Sequence, residues 1–250
     1  MLDCSTFDTS LFKYEIKDYT AILRLKDDAF RTNMDVCFLR YFLDHLNEIE
    51  LNDDVKGLLI VDSPDYHGVD DIKALIDNLQ KEKITYLKEK GFTRYGNSAK
   101  RLTLTLNEFS KPIVVALEGQ IPIDAFGYFM ACDTIIASDD LSIEFPSYEV
   151  GLAPIGAVTF FLQREIGSRN TLNLYLSGES LDAEMAQSYM LIDHIVEKDQ
   201  LIDAALEKLQ QYYTFTESAI VMTKQLTKAR TSEIDEFFTR NVRSMWDASM

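Results

Sequence analysis

Residues 111–138 read KPIVVALEGQIPIDAFGYFMACDTIIAS, and this stretch decides the fold. The apolar run Lys111–Leu117 is typical of a strand buried on both faces, and Glu118-Gly119 closes it. Ile123–Cys132 is almost wholly apolar, which favours a helix buried on most sides. Asp133–Ser138 then predicts another short strand. The alternation of strand and helix indicates an α/β fold.

Three segments before this stretch continue the alternation. Apolar and polar residues alternate from Tyr19 to Lys26, which predicts a strand. Thr32–Asp35 is typical of a helix start, and the apolar run Val55–Val61 predicts a buried parallel strand. Residues 70–90 predict a charged helix, and a second helix is expected from about Ser98 to Phe109.

The remainder of the chain is mostly helical. Leu141–Phe145 alternates as a strand does, Gly167 occupies the position of a helix C-cap glycine, and Asp193–Val196 is the last strand-like segment. We therefore expect an α/β core over residues 1–200, followed over residues 201–250 by a helical oligomerisation or lid region that does not fold separately.

The acid excess of the chain excludes some classes of partner. The 250 residues include 25 Lys and Arg against 41 Asp and Glu, a formal net charge of −16. Nucleic acids and anionic membrane surfaces need clusters of Lys and Arg, so neither is expected as a partner. An anionic ligand held by a few local cations and helix N-termini stays compatible with this charge.

Cysteine usage and apolar runs indicate the compartment. The three cysteines, Cys4, Cys37 and Cys132, form a poor disulfide framework and indicate a reducing environment. No Cys/His cluster has metal-ligand spacing, so no metal is expected. Residues 1–5 lack the basic and apolar regions of a signal peptide, and no apolar run reaches the roughly 18 residues of a membrane span. We expect a soluble, cytoplasmic protein.

Several short motifs occur in a fixed order along the chain. His67–Asp70 is a loop of the type A-G-x-D, and Ala116–Gly119 with Phe129–Asp133 is a strand–loop–helix of the type A-V-x-G…A-C-D. Gly151–Ala157 is a segment of the type G-x-x-P-x-x-G. Ser177–Ala186 is a helix start of the type T-G-x-x-x-x-A-x-x-A, and it leads into the strand-like segment Leu191–Val196. Together these motifs resemble the crotonase superfamily, also called the enoyl-CoA hydratase/isomerase family.

The resemblance implies a fold, an assembly and a ligand. The implied fold is a crotonase-like spiral of β-β-α repeats with parallel strands in two sheets and a C-terminal helical region. The implied assembly is a homotrimer, often paired into a hexamer. The implied ligand is an acyl thioester, with coenzyme A or the phosphopantetheine of an acyl carrier protein as part of the substrate and no tightly bound cofactor.

The resemblance also implies an oxyanion hole, in which two backbone N–H groups bind the oxygen of a thioester enolate. The matching donors are the N–H of Val69, just after Gly68, and the N–H of Asp124. Losing one such donor costs roughly 3–4 kcal/mol of transition-state stabilisation. Residues 123–125 match a Gly-Gly-Gly run in the family, so Asp124 is a departure: its carboxylate either turns away and caps the helix, or alters the hole.

The residues that match the two glutamates of a family hydratase are Gly127 and Ser147. Neither exchanges a proton at neutral pH, so hydration by paired carboxylates is not expected. In a family decarboxylase the enolate forms when the substrate loses its carboxylate as carbon dioxide, so the oxyanion hole and one proton donor can suffice. The sequence therefore favours a decarboxylase or a specialised isomerase.

Other side chains near these positions are candidates for the proton transfer. His67 precedes the first N–H donor, Asp124 and Tyr128 lie in the predicted helix, and Glu149 follows Ser147 by two residues. Each has a structural alternative: a loop histidine that caps backbone, an aspartate that caps a helix, a packed core tyrosine and a surface glutamate.

Cations at the mouth of the cleft would bind the phosphates of the carrier, as the resemblance implies. The matching candidates are Arg31, Lys73 and Lys224. A second hypothesis comes from a different class of protein: a non-catalytic relative that binds an acyl-CoA or acts as a scaffold. Two features favour this hypothesis: both glutamates are absent, and an aspartate is present at position 124.

Overall fold

The main element of the fold is a seven-stranded mixed sheet. A computed structural model of the chain describes residues 6–8, 12–26, 36–62, 70, 85–145, 154 and 156–248. In it the strand order is β1-β2-β3-β4-β5-β7-β10. The first three strands pair antiparallel, and the pairs from β3 to β10 are parallel. The strands are β1 Thr6–Asp8, β2 Phe12–Lys17, β3 Thr20–Leu25, β4 Gly57–Val61, β5 Ile113–Leu117, β7 Thr134–Ser138 and β10 His194–Val196.

A smaller sheet begins where β5 ends. Its order is β6-β8-β9, with β6 and β8 parallel and β9 antiparallel to β8. Its strands are β6 Gln120–Pro122, β8 Ser142–Glu144 and β9 Leu181–Asp182. The chain therefore leaves the large sheet at Leu117, crosses the small sheet and enters the helix that carries the predicted site.

Helices cover both faces of the large sheet. They are α1 Val36–Leu51, α2 Thr85–Glu108, α3 Ile123–Phe129, α4 Val158–Glu165, α5 Gly167–Ser177, α6 Ala183–Ser188, α7 Leu201–Tyr212, α8 Glu217–Thr227 and α9 Thr231–Ala248. Among the described residues, none of the helices combines the length and the apolar character that crossing a membrane requires.

The alternation of side chains along the strands divides the core between the two faces. Leu58 and Ile60 of β4 join the larger apolar cluster, together with residues of α3, α4 and α5. Leu59 and Val61 join the smaller cluster, in which Leu201, Ala205 and Leu209 bury one side of α7. Helix α7 thus packs directly on the sheet. The division of the chain near residue 200 stays a prediction.

Most of the predicted elements are present, and the errors lie mainly at their boundaries. The predicted strands at 19–26, 55–61, 111–117 and 133–138 correspond to β3, β4, β5 and β7. Gly167 has φ +78°, as a C-cap glycine should. The predicted start of a helix near Ser98 is wrong, because α2 begins at Thr85. Strand β2 was not predicted.

Helix α8 is held to the sheet by a charged clamp around Asp133, in the turn before β7. The Asp133 carboxylate accepts hydrogen bonds from the Ile113 backbone at 2.7 Å and the Lys224 ammonium at 2.6 Å, and Lys228 lies 2.9 Å from its second oxygen. Lys228 also donates to the carbonyls of Ala131 and Cys132. Burial lowers the pKa of Lys224, and the charge of Asp133 opposes that shift.

We predict that Asp133→Ala lowers the free energy of unfolding by roughly 3–5 kcal/mol, because it leaves two largely buried ammonium groups without their carboxylate. The matched control is Asp235→Ala, which removes the partner of Lys100 in a more exposed ion pair. That change should cost about 0–1 kcal/mol. Urea unfolding of both variants measures the difference, and equal losses would contradict the clamp.

Candidate active site

The candidate site lies at the carboxyl-terminal edge of the parallel strands. Strands β4, β5 and β7 run parallel, so their carboxyl ends share this edge of the sheet. Ligands of open α/β sheets bind at this edge. The chain passes from Leu117 through β6 into α3, and this connection places Asp124 in the first turn of the helix.

Asp124 is fully buried. The N-cap of α3 is Pro122, which provides no side-chain hydrogen bond, and Asp124 is the second residue of the helix. The first N–H groups of a helix have no acceptor within it, so this turn directs backbone donors away from the helix. The N–H of Asp124 as an oxyanion donor stays a prediction, because its expected partner, Val69, lies outside the described residues.

Tyr128 lies one helical turn after Asp124. Residues four apart share a face of a helix, so the structure brings these two predicted residues together on α3. The tyrosine is only 4% exposed and belongs to the large apolar cluster. Tyr128 therefore packs as a core aromatic. Its role as a proton donor stays a prediction.

Gly127, which matches the first hydratase glutamate, is in close contact with the start of α4. A Cβ atom at this position would lie 2.7 Å from the backbone nitrogen of Val158 and 2.8 Å from its Cα. Since these are backbone atoms, they cannot move aside as the end of a flexible side chain could. The structure therefore leaves no room for a side chain at position 127 without a shift of the Val158 backbone.

Asp62 is a buried acid at the carboxyl-terminal edge of the strands that the sequence reasoning missed. It follows β4 directly, and its N–H bonds to the carbonyl of Ala116 at 3.0 Å. Side-chain alternation places it on the same face as Leu58 and Ile60, the face on which α3 packs. Asp62 and Asp124 are the only fully buried carboxylates among the described residues. The sequence feature that could have identified Asp62 is the position of an acid directly after the apolar strand β4.

Tyr175 of α5 is the second residue that the sequence reasoning missed. It is 5% exposed, and its ring meets that of Phe145 edge-on, with centroids 5.2 Å apart. Burial raises the pKa of Tyr175 well above its ordinary value, and the negative charge of Asp124 raises it further. The phenol is therefore neutral at physiological pH and lies within electrostatic range of the Asp124 carboxylate.

The other predicted site residues are not brought together with Asp124 by the described structure. The positions that lie outside the described residues are Val69, His67, Gly68, Arg31, Lys73, Ser147 and Glu149. Lys224 lies at the amino-terminal edge of the strands, with its ammonium bound to Asp133 and to the carbonyl of Lys111. A role for Lys224 in binding phosphate stays a prediction. The described part of the chain holds no cluster of His, Cys, Asp and Glu suited to a metal ion.

The described elements define a mixed α/β fold, and comparison with known proteins identifies the family. A model of the enoyl-CoA hydratase/isomerase family matches residues 43–245. The chain belongs to this family, the crotonase superfamily. The prediction of a crotonase-like α/β fold is therefore confirmed.

Individual relatives are distant. Mevalonyl-coenzyme A hydratase of Aspergillus fumigatus is 31% identical over 98 residues, which is 39% of this chain and 36% of that protein. The trans-2-decenoyl-acyl-carrier-protein isomerase of Streptococcus mutans is 31% identical over 108 residues, 43% of this chain and 41% of that protein. The chain thus spans less than half the length of these curated relatives.

Similarity to solved structures extends over almost the whole chain. The crystal structure of enoyl-CoA hydratase from Bacillus halodurans has a TM-score of 0.78 at 19% identity. The match covers 96% of this chain and 95% of that one. At this identity the likeness shows that the two chains share a fold.

We predict that Gly127→Ala lowers the free energy of unfolding by roughly 1–3 kcal/mol, because its methyl group overlaps the backbone of Val158. The control is Gly178→Asn, at a position with φ +65° and open space around it, where Asn tolerates the conformation. Thermal and urea unfolding should show a clearly smaller loss for the control. A Gly127→Ala variant as stable as the parent protein would contradict the close contact.

Proposed function

We propose that the chain is an enzyme acting on an acyl thioester of coenzyme A or of an acyl carrier protein. In this proposal two backbone N–H groups, from Val69 and Asp124, stabilise the enolate of the thioester. The reaction is a decarboxylation or a specialised isomerisation, and hydration by paired glutamates is disfavoured. Membership of the enoyl-CoA hydratase/isomerase family supports the thioester class of substrate.

The close contact at Gly127 carries the choice of reaction. A two-glutamate hydratase needs a carboxylate at this position to activate water or to protonate carbon. Here the backbone of Val158 occupies the space that a side chain would need. Helix α3 instead supplies Asp124 and Tyr128 on one face, a set that suits a reaction needing a single proton transfer.

Decarboxylation fits this set of groups. The bond between the α-carbon and the substrate carboxylate breaks, carbon dioxide leaves, and the electron pair forms the enolate held by the two N–H groups. A proton then bonds to the α-carbon and regenerates the thioester. The Tyr128 phenol, or Asp124 in its acid form, supplies this proton, and solvent returns it afterwards.

A non-catalytic acyl-CoA-binding relative is the alternative. The observation that favours it is the position of Asp124, whose carboxylate is fully buried in the turn that should stabilise a negative oxygen. A negative charge there would oppose an enolate by Coulomb repulsion. Binding of a thioester without turnover distinguishes this alternative from the enzyme.

Exposed apolar residues support the proposal that the chain assembles into a trimer or hexamer. Met222 and Leu226 lie one turn apart on α8 and are 62% and 84% exposed, and Phe215 just before the helix is 63% exposed. Contiguous exposed apolar surface marks protein interfaces. These residues provide such a surface beside the clamp at Asp133.

We predict that the purified protein converts a malonyl-type thioester to its decarboxylated product, or shifts the double bond of an enoyl thioester, faster than it hydrates an enoyl thioester. The reason is that hydration lacks its carboxylate at Gly127, and general acid–base groups contribute roughly 100-fold or more to rate. Mass spectrometry of the products measures all three reactions. Hydration as the fastest of them would contradict the proposal.

Within the same assay, Asp124→Asn should lower kcat by roughly 100-fold if its carboxyl group transfers the proton. Asp235→Asn makes the same chemical change at an exposed and distant position and serves as the control. An Asp124→Asn variant that gains activity would show that the carboxylate opposes the enolate.

Calorimetric binding without turnover in the parent protein would support the non-catalytic alternative.

A further inference from the structure

One face of the last helix, α9, packs against α4. The side chains on this face have the spacing i, i+3, i+4 and i+7, and they are Ile234, Phe237, Phe238 and Asn241. Ile234 and Phe238 are buried in the large apolar cluster, and Phe237 packs against it. The rings of Phe237 and Phe160 of α4 have centroids 5.4 Å apart. Helix α9 is thereby placed beside the beginning of α4.

Asn241 occupies the position of this stripe where the spacing calls for another apolar side chain. Its Nδ2 donates a hydrogen bond to the backbone carbonyl of Pro154 at 3.2 Å. Its Oδ1 is enclosed and has no hydrogen-bond partner among the described residues. An enclosed polar atom without a partner is destabilising, so packing alone would favour an apolar residue here. The gain that the amide provides is its hold on Pro154.

Pro154 leads directly to the contact that fixes α3. Gly156 has φ +73°, a conformation that glycine adopts readily, and Val158 begins α4 two residues later. The backbone nitrogen of Val158 lies 2.7 Å from where a Cβ of Gly127 would be. A displacement of Pro154 would therefore be transmitted within four residues to the helix that carries the two candidate residues of the site.

Helix α9 is also attached on its other side, to α2. The Lys100 ammonium lies 2.8 Å from the Asp235 carboxylate, and the Nδ2 of Asn107 donates to the carbonyl of Ala229, just before α9, at 2.9 Å. These contacts give α9 a fixed position independent of Pro154. A helix fixed in this way can hold a neighbouring segment in place.

We propose that α9 braces the active site and that Asn241 is a positioning residue: its amide holds Pro154, which keeps the start of α4 against Gly127 and so sets the direction of α3. The inference rests on the proposed function, because its kinetic effect passes through the candidate residues of α3. Asn241 need not contact the substrate, since it acts through Pro154 and Val158.

The kinetic test uses Asn241→Leu, which has a similar size and removes the donor together with the enclosed Oδ1. We expect kcat for the preferred thioester to fall about 10-fold or more at an unchanged KM, because small displacements of catalytic groups lower the rate strongly. The unfolding midpoint should stay close to that of the parent protein, since the unpaired oxygen is lost with the hydrogen bond.

The matched control is Asn107→Leu. Asn107 also donates from Nδ2 to a backbone carbonyl, and its Oδ1 likewise has no hydrogen-bond partner among the described residues. It joins α9 to α2, and the ion pair between Lys100 and Asp235 holds the same two helices together. The control should therefore leave kcat unchanged.

A second measurement does not depend on turnover. Hydrogen exchange followed by mass spectrometry reports local opening of each helix. In Asn241→Leu, peptides that cover residues 123–130 and 156–162 should exchange about 2- to 10-fold faster, the effect of one lost hydrogen bond. Peptides of α7 should exchange as in the parent protein, and Asn107→Leu should leave the exchange of α3 unchanged.

The two measurements separate the possible failures. Unchanged exchange of α3 and α4 in Asn241→Leu, or a rise spread equally over the whole chain, would overturn the brace, whatever the enzyme does. Faster exchange confined to α3 and α4, together with no turnover of any thioester by the parent protein, would contradict the proposed function and support the brace. In an active enzyme, an unchanged kcat of Asn241→Leu would overturn the positioning role.

Discussion

The arrangement of the site depends on one steric constraint, the contact between Gly127 of α3 and the backbone of Val158 at the start of α4. Only a glycine lets the two helices approach this closely. The approach fixes the rotation of α3 about its axis, and thereby the direction of Asp124 and Tyr128 on the adjoining face. Position 127 serves here for packing and has no titratable side chain, so any proton transfer must involve other residues.

Burial distinguishes Asp62 and Asp124 from the other acids in the described part of the chain. Burying a carboxylate costs several kcal/mol unless charge or hydrogen bonds compensate. Asp133 has such compensation from two lysines, and its role is structural. Asp62 and Asp124 are more deeply buried and lie at the carboxyl-terminal edge of the sheet, where ligands of α/β folds bind. Acids kept in such surroundings are typical of functional sites.

The sequence predicted the central elements of the fold, because buried strands and an apolar helix differ in length and pattern. Strands β4, β5 and β7 and helix α3 follow from this difference. Strand β2 was missed although Phe12, Tyr14 and Ile16 alternate with charged residues over a run as long as that of β3. The start of α2 was misplaced because Gly91 and Gly96, which suggest a break, cost only about 1 kcal/mol each inside a helix.

The candidate site was predictable only where a linear motif carried it. Asp124 and Tyr128 lie in the segment that resembles the family, so their positions followed from the order of the motifs. Asp62 follows a strand and Tyr175 lies in a helix that are both distant from α3 in the chain, and no local motif marks either residue. For the same reason no sequence pattern indicates that Val158 excludes a side chain at Gly127.

Polar contacts at the opposite, amino-terminal edge of the sheet hold the C-terminal helices in place. The hydroxyl groups of Tyr213 and Thr20 lie 2.7 Å apart, and those of Tyr212 and Thr134 lie 2.6 Å apart, so the end of α7 is bonded to the amino-terminal ends of β3 and β7. The clamp at Asp133 lies at this same edge. These contacts are made by residues outside helix α3, so they fix the C-terminal helices independently of the candidate residues Asp124 and Tyr128.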